Sequence, residues 1–594
     1  MSEAEKEARK ELRLKGIGVS SGIALGKAVL VAPRSRAALV PRRIAEEEVP
    51  LEIARFEEAL IATREQIVKI RDNVAEALGE DHAAIFDAHL LVADDRTLVE
   101  EVVREIRKRK LCAEVVLQHV ANRYADMLAK VEDAYLAERA ADLRDVARRI
   151  VANLSGEAQN PLDRIAEPCI VVAHDVSPSE TAAIDRRFVL GFVTDLGSPT
   201  SHMAIMAKAL TIPAVVGLHD ASETVEPGDT ILIDGTRGEV FVNPTPQRRA
   251  EYEARAREQR EILDRLETLR DKPPTTKDGR LVPITANVEL LEELDTLADR
   301  GVRGIGLFRT EFLFLGANVF PDEAEQTAAY DRAAAAQYPA PVVIRTLDLG
   351  ADKMPAHLEL PPETNPFLGI RAIRLCLAHP NLFKTQLRAI LRASARGNVR
   401  IMYPMISCVR ELEQANATLR ECMEELRAEN VPFDENVEIG TMIEVPSAAL
   451  VADLLAPRVN FFSIGTNDLI QYTMAADRGN EGVAHLCKPT HLAIVRLIDL
   501  VVRAARERGV RVCVCGQMAS VPLLVPLLVG LGVDELSVSP SQALLVKDVV
   551  RNINFSDAEE LAREALNASS AEEVERICHR MIEERAPEIL ELSE

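Results

Sequence analysis

The stretch NFFSIGTND (residues 460–468) opens on apolar residues and closes on Asn467 and Asp468. By itself it is a short buried strand with polar groups at its carboxyl end. The same pattern recurs from residue 273 onward. It appears in VPITANV (282–288), GIGLFRT (304–310), PVVIRTLD (341–348) and VRIMYPM (399–405). It returns in VEIGTMIEV (437–445), VRVCVCGQ (510–517) and ELSVSP (535–540), and helical segments separate most of these runs. Eight strands alternating with helices predict a (β/α)8 barrel, with an open doubly wound sheet as the alternative.

In a barrel, functional side chains gather at the carboxyl ends of the strands. Here those ends carry Arg309, Arg345, Asp348, Glu444, Asn467, Asp468, Cys515 and Gln517. Arginine forks match phosphate oxygens, and paired Glu and Asp offer Mg²⁺ hard oxygen ligands while substrate and water fill its other positions. A rim of salt bridges is the plainer reading. A cluster of both signs favours a metal–phosphate site, which a kinase, an aldolase or a lyase could all use.

The first half is organised differently. GIGVSSGIALGKAVLVA (16–32) is glycine-rich and β-like, and residues 46–155 carry apolar positions at helical spacing. Strand-like runs return at 169–176, 189–195, 213–218, 230–235 and 238–244. The helical stretch therefore reads as an insertion into a small α/β domain built from 16–45 and 156–245, behind an N-terminal extension (1–15). Residues 246–272 read as a charged linker helix ending at Pro273–Pro274, and 273–594 form the barrel domain.

The 594 residues carry 71 basic and 94 acidic side chains, a net charge of −23, which disfavours nucleic acid as the main partner. No apolar run is long enough to span a membrane, and the start of the chain has no signal-peptide core. Nine scattered cysteines fit a reduced, cytoplasmic protein.

Within the α/β part, GSPTSHMAIMAKAL (197–210) punctuates with Gly197, Ser198 and Pro199, offers Thr200 or Ser201 as a cap, and then runs at helical spacing. It delivers His202 to the first turn of a helix. A capping or surface histidine is the ordinary reading. A nucleophile is the sharper one, because imidazole attacks phosphorus at neutral pH and a helix N-terminus favours phosphoryl oxygens.

Taken together, several motifs resemble those of enzyme I of the bacterial phosphoenolpyruvate:sugar phosphotransferase system. They are DVSPSETAA, GSPTSHMAIMAKALTIPAVVG, GLFRTEFLF, RTLDLGADK, NPFLGIRAIR, IEVPSA and FFSIGTNDLIQYTMAADRGN, and the resemblance runs from about residue 16 to the end. IFDAHLLVADDRTL and YLAERAADLRDVARRI resemble the helical subdomain that docks the carrier protein HPr.

The resemblance implies that His202 is phosphorylated, with Thr181 orienting its ring. It implies that Arg309, Arg345 and Arg478 hold the phosphate of phosphoenolpyruvate, with Lys353 and Arg371 adding positive charge. Glu444 and Asp468 would bind Mg²⁺, Asn467 would contact the carboxylate end of the substrate, and Cys515 would protonate the enolate carbon to release pyruvate. The phosphoryl group would pass on to HPr, which requires the α/β domain to swivel between the barrel mouth and the acceptor. A homodimer through the barrel is implied as well. The same chemistry could serve a regulatory phosphorelay instead of sugar uptake.

Three departures from the family pattern stand out: Ser198–Pro199 where Gly-Arg is usual, Lys208 for Arg, and Gln517 for Glu. They bear on transfer rate or acceptor choice more than on reaction class.

Overall fold

The computed structural model describes residues 11–31, 41–78, 80–128, 134–156, 165, 167–176, 187–198, 201–210, 212–314, 320–350, 363–480 and 482–593. The chain forms two compact units, one running to Glu258 and the other from Gln259 to Ser593.

In the first unit, β1 (Leu12–Lys15), β2 (Ile17–Ser20) and β3 (Ile23–Val31) precede five helices, α1 (Val49–Leu78), α2 (Glu80–Ala93), α3 (Arg96–Arg109), α4 (Ala113–Leu128) and α5 (Ala134–Ser155). These helices bury a core of their own that includes Phe56, Ile67, Phe86, Val102, Ile106, Leu117, Val120 and Val146. Asp95 starts α3 by accepting hydrogen bonds from the Thr97 and Leu98 amides, the normal way to satisfy orphan donors at a helix start.

The sheet resumes with β4 (Cys169–Ala173), β5 (Val189–Thr194), α6 (His202–Leu210), β6 (Ala214–Val216), β7 (Thr230–Asp234) and β8 (Glu239–Val242). Strand order is β1-β8-β7-β3-β4-β5-β6-β2. The β3–β4, β4–β5 and β5–β6 pairs are parallel. Strands from both sides of the helical insertion thus complete one sheet, with Lys27 beside Cys169 and Leu12 beside Val242.

Helix α7 (Pro246–Glu267) contains the division between the units. Near its start Tyr252 packs on Phe241 and donates its hydroxyl to Glu239 at 2.8 Å. Near its end Ile262 and Leu266 pack with Leu544 and Leu545.

The second unit is a closed parallel barrel: β9 (Ile284–Val288), β10 (Ile305–Phe308), β11 (Val342–Arg345), β12 (Val399–Tyr403), β13 (Glu438–Ile443), β14 (Phe461–Ile464), β15 (Arg511–Val514) and β16 (Glu535–Val538). Pairing of β16 with β9 closes it, so the open-sheet alternative is excluded. Leu307, Val343, Met402, Met442, Phe461 and Cys515 form a small cluster contributed by successive strands, while the larger core lies between strands and surrounding helices. This is the expected solution for strands apolar on both faces.

All nine cysteines are free thiols. Among the described residues no helix is long and apolar enough to cross a membrane.

Candidate active site

The barrel brings residues from distant segments to one end. Arg345 is the last residue of β11, and Arg309 and Glu444 immediately follow β10 and β13. Asn467 and Asp468 sit in the first turn of the helix Thr466–Met474 that follows β14. Cys515 follows β15, and the next residue must be small: a Cβ on Gly516 would collide with Thr466. That close approach lets the Gln517 amide donate to Asn467 Oδ1 at 2.9 Å.

Arg345, 8% exposed, donates to Glu311 Oε1 at 3.0 Å and pairs with Asp348 Oδ2 at 2.9 Å. Arg371 meets both oxygens of Asp348 and lies 3.7 Å from Asp468 Oδ2. Its Nη1 also donates to the Tyr472 hydroxyl at 3.1 Å, and that hydroxyl donates to the Phe367 carbonyl at 2.7 Å. Burial opposes the charge on Arg345, but Glu311 and then Asp348 outweigh it, and its pKa is raised. Burial likewise opposes the charge on Arg371, which Asp348 and Asp468 overcome. For Asp348 burial opposes ionisation, yet Arg345 and Arg371 hold its carboxyl below the ordinary range. These three groups therefore stay charged in a dry setting.

Glu444 behaves differently. It is 1% exposed and accepts from the Met405 amide at 2.7 Å. Burial, followed by the Asp468 and Asp348 charges, pushes its carboxyl up to about 8. Arg309 pairs with Glu289 at the rim. The Nε groups of both Arg309 and Arg345 are buried without a hydrogen-bond partner among the described residues. Unmet guanidinium donors beside paired carboxylates suit an anion accompanied by a cation.

A cavity of about 420 Å³ reaches Arg309, Asn467, Cys515 and Gln517. Cys515 is buried, its Sγ 3.7 Å from the Ile464 carbonyl, and burial pushes its thiol up to about 11. It is protonated at neutral pH. Asn287 donates to the Cys515 carbonyl at 2.9 Å and accepts from Ser537 at 2.6 Å, fixing that backbone.

The structure thus joins Arg345, Arg371, Glu444 and Asp468, and places Arg309, Asn467 and Cys515 on one cavity. Arg478 stands apart: it is exposed, and its backbone amide reaches Gln471 at 3.4 Å. In the first unit His202 is the first residue of α6, which Ser201 caps through the Ala204 amide at 3.4 Å. Met203, Ala204 and Ala207 bury that helix against Val171, Phe192 and Val216. Thr181, Lys353, Pro199 and the side chain of His202 lie outside the described residues.

Sequence reading passed over Glu311, Tyr472 and Asn287. Tyr472 stands four residues after Asp468, one helical turn along the same face, and that spacing was the available signal. Asn287 lies within β9 and Glu311 three residues beyond β10, neither with a distinctive spacing.

Residues 15–139 match PEP-utilising enzyme, N-terminal; 165–238 match PEP-utilising enzyme, mobile domain; and 263–555 match PEP-utilising enzyme, PEP-binding domain. A phosphoenolpyruvate-protein phosphotransferase of Listeria innocua is 44% identical over 561 residues, covering 94% of this chain and 98% of the relative. Those of Staphylococcus carnosus and Bacillus subtilis are each 42% identical, over 95% and 94% of this chain respectively and 98% of each relative. With this identity along nearly the whole length, on a barrel whose strand ends carry Arg309, the buried Arg345 and two acids, the chain belongs to the phosphoenolpyruvate-protein phosphotransferase family.

Proposed function

We propose that this protein takes the phosphoryl group of phosphoenolpyruvate onto His202 and passes it to a histidine of an HPr-like phosphocarrier, releasing pyruvate. This is the first step of a sugar phosphotransferase system. The observation that carries the reading is the pair of buried, unpartnered Nε groups on Arg309 and Arg345 beside Glu444 and Asp468.

The substrate phosphate is held by Arg309 and Arg345, with Arg371 adding charge behind them, and Asn467 meets the carboxylate end. Arg478, though exposed in this structure, is assigned to the same phosphate, Lys353 adds positive charge around it, and Thr181 orients the His202 ring. An imidazole nitrogen of His202 attacks phosphorus in line as the bond to the enolate oxygen breaks. The enolate carbon takes the Cys515 proton, and the thiolate is reprotonated from solvent. A thiol still protonated at neutral pH suits that donor role.

Glu444 and Asp468 fit Mg²⁺: both are hard oxygen donors, and their mutual repulsion is what a cation relieves. Glu444 and Asp468 would hold the ion, and substrate and water oxygens would complete its shell. When bound, Mg²⁺ supplies charge neutralisation on the phosphoryl and enolate oxygens. The acceptor docks on the helical insertion, the α/β domain swivels between the two partners, and the protein works in the cytoplasm as a homodimer through its barrel.

Incubation with labelled phosphoenolpyruvate and Mg²⁺ yields an acid-labile, base-stable phosphoryl group mapped to His202. Undiminished labelling of a His202→Ala variant sinks the mechanism.

A further inference from the structure

Beneath the phosphate pocket lies a buried polar network that no step above uses. Gln386, on the helix Pro380–Ala393, is 1% exposed. Its Oε1 accepts from the Leu347 amide at 2.8 Å. Its Nε2 donates to the hydroxyls of Thr310 and Tyr330, each at 3.2 Å. Both hydroxyls in turn donate hydrogen bonds, Thr310 to the Arg345 carbonyl at 3.1 Å and Tyr330 to Gln326 Oε1 at 3.1 Å. Thr310, Tyr330 and Gln326 are themselves fully buried.

The direction of this network is fixed by its chemistry. Only an oxygen can face the Leu347 N–H, so the amide nitrogen must face the hydroxyls. One side chain therefore bridges the residues flanking two phosphate-pocket arginines: Thr310 follows Arg309, while Leu347 lies between Arg345 and Asp348. β10 and β11 pair with a register shift between Ile305 and Phe308, and beyond them the Arg309 and Thr346 amides donate to Val288 and Met402 on their other neighbours, so the Gln386 network supplies a side-chain tie between the two ends. A fully satisfied buried network holds such groups more rigidly than apolar packing would.

We propose that Gln386 is a positioning residue for phosphoenolpyruvate. Through Thr310 and Leu347 it sets the spacing of the Arg309 and Arg345 backbones, and hence the width of the phosphate pocket. This rests on the reading of Arg345 as a phosphate ligand. The volume-conserving variant Gln386→Met removes all three bonds without adding a charge.

In the full chain, Gln386→Met should raise KM for phosphoenolpyruvate about tenfold with kcat changed less than about threefold. Phosphorylation of His202 from the phosphorylated carrier, which bypasses the barrel, should keep its wild-type rate. The milder variants Thr310→Val and Tyr330→Phe carry the test if Gln386→Met fails to fold. Thr310→Val should raise KM in the same manner, and Tyr330→Phe should do so less, because it leaves the bridge between the strands intact.

An unchanged KM in folded Gln386→Met or Thr310→Val overturns the proposal, as does a parallel fall of kcat and the carrier reaction. Arg345→Lys separates the two levels. If Arg345→Lys leaves KM unaltered, the phosphate-ligand reading fails. If it raises KM and Gln386→Met does not, only the positioning role fails.

Discussion

Arg371 lies along Asp348, its Nη2 3.0 and 3.1 Å from the two carboxylate oxygens. Asp348 also receives Arg345, so one buried acid is shared by two guanidiniums. Removing that acid leaves Arg345 with Glu311 alone and Arg371 with the more distant Asp468, an excess of positive charge away from water. Asp348→Ala is expected to cost about 3 kcal/mol or more of barrel stability, the usual result of breaking a buried pair from one side. Denaturant unfolding of the full chain, followed by a probe in the second unit, measures it. A wild-type midpoint would show that the arginines find other anions.

Glu444→Gln and Asp468→Asn should each abolish binding of one Mn²⁺, used as a spectroscopic substitute for Mg²⁺. Turnover should fall at least about 100-fold in each. Electron paramagnetic resonance titration reports the first effect and pyruvate release the second. Full metal affinity in either variant would place the cation elsewhere.

Cys515→Ala should stop steady-state turnover while leaving the Kd for phosphoenolpyruvate within about twofold. Isothermal titration and a coupled pyruvate assay separate the two. Because the thiol is buried and already protonated at neutral pH, wild-type kcat should show no limb from thiol ionisation between pH 6 and about 9. A normal pyruvate yield from Cys515→Ala would assign the proton to another donor.

Asp278 offers a pH test away from the site. It accepts the Phe555 and Ser556 amides at 2.8 and 3.1 Å, capping the helix Phe555–Leu566 from a loop near the start of the barrel. Hydrogen bonds from the Phe555 amide and the Thr276 hydroxyl bring its carboxyl down to about 2, against an ordinary 3.8. The folded value lies below the unfolded one. Its contribution is therefore complete above about pH 4 and is lost as pH falls toward about 2. Asp278→Ala should remove about 1 kcal/mol at neutral pH, as other cap deletions do, and flatten this part of the acid profile. Unfolding midpoints measured from pH 2 to 6 decide it.

Much of this architecture is legible in the amino acids because it is local. NFFSIGTND reads as a strand with a polar end from its own residues, and a barrel then sends Arg345, Glu444 and Asp468 to a common mouth. Ser201 as the cap of the His202 helix is local too. What escapes the sequence depends on closure at long range. Glu311 matters because β10 and β11 lie side by side, and Asn287 because β9 meets the far end of the barrel beside Cys515. Gln386 looks like any polar helix residue until two strand ends are placed above it. The raised carboxyl of Glu444 likewise arises from its burial by the closed barrel and from the Asp468 and Asp348 charges that follow two other strands.

The pairing of β3 with β4 and of β1 with β8 has a consequence for synthesis of the chain. The opening strands leave the ribosome long before their neighbours exist, whereas helices α1 to α5 can bury their own core at once. The insertion should thus fold first and hold the two halves of the sheet as a tethered pair. By gathering residues 31 and 169 it shortens the effective loop that β3 and β4 must close. The helical insertion would then serve as the nucleus for the domain that surrounds it.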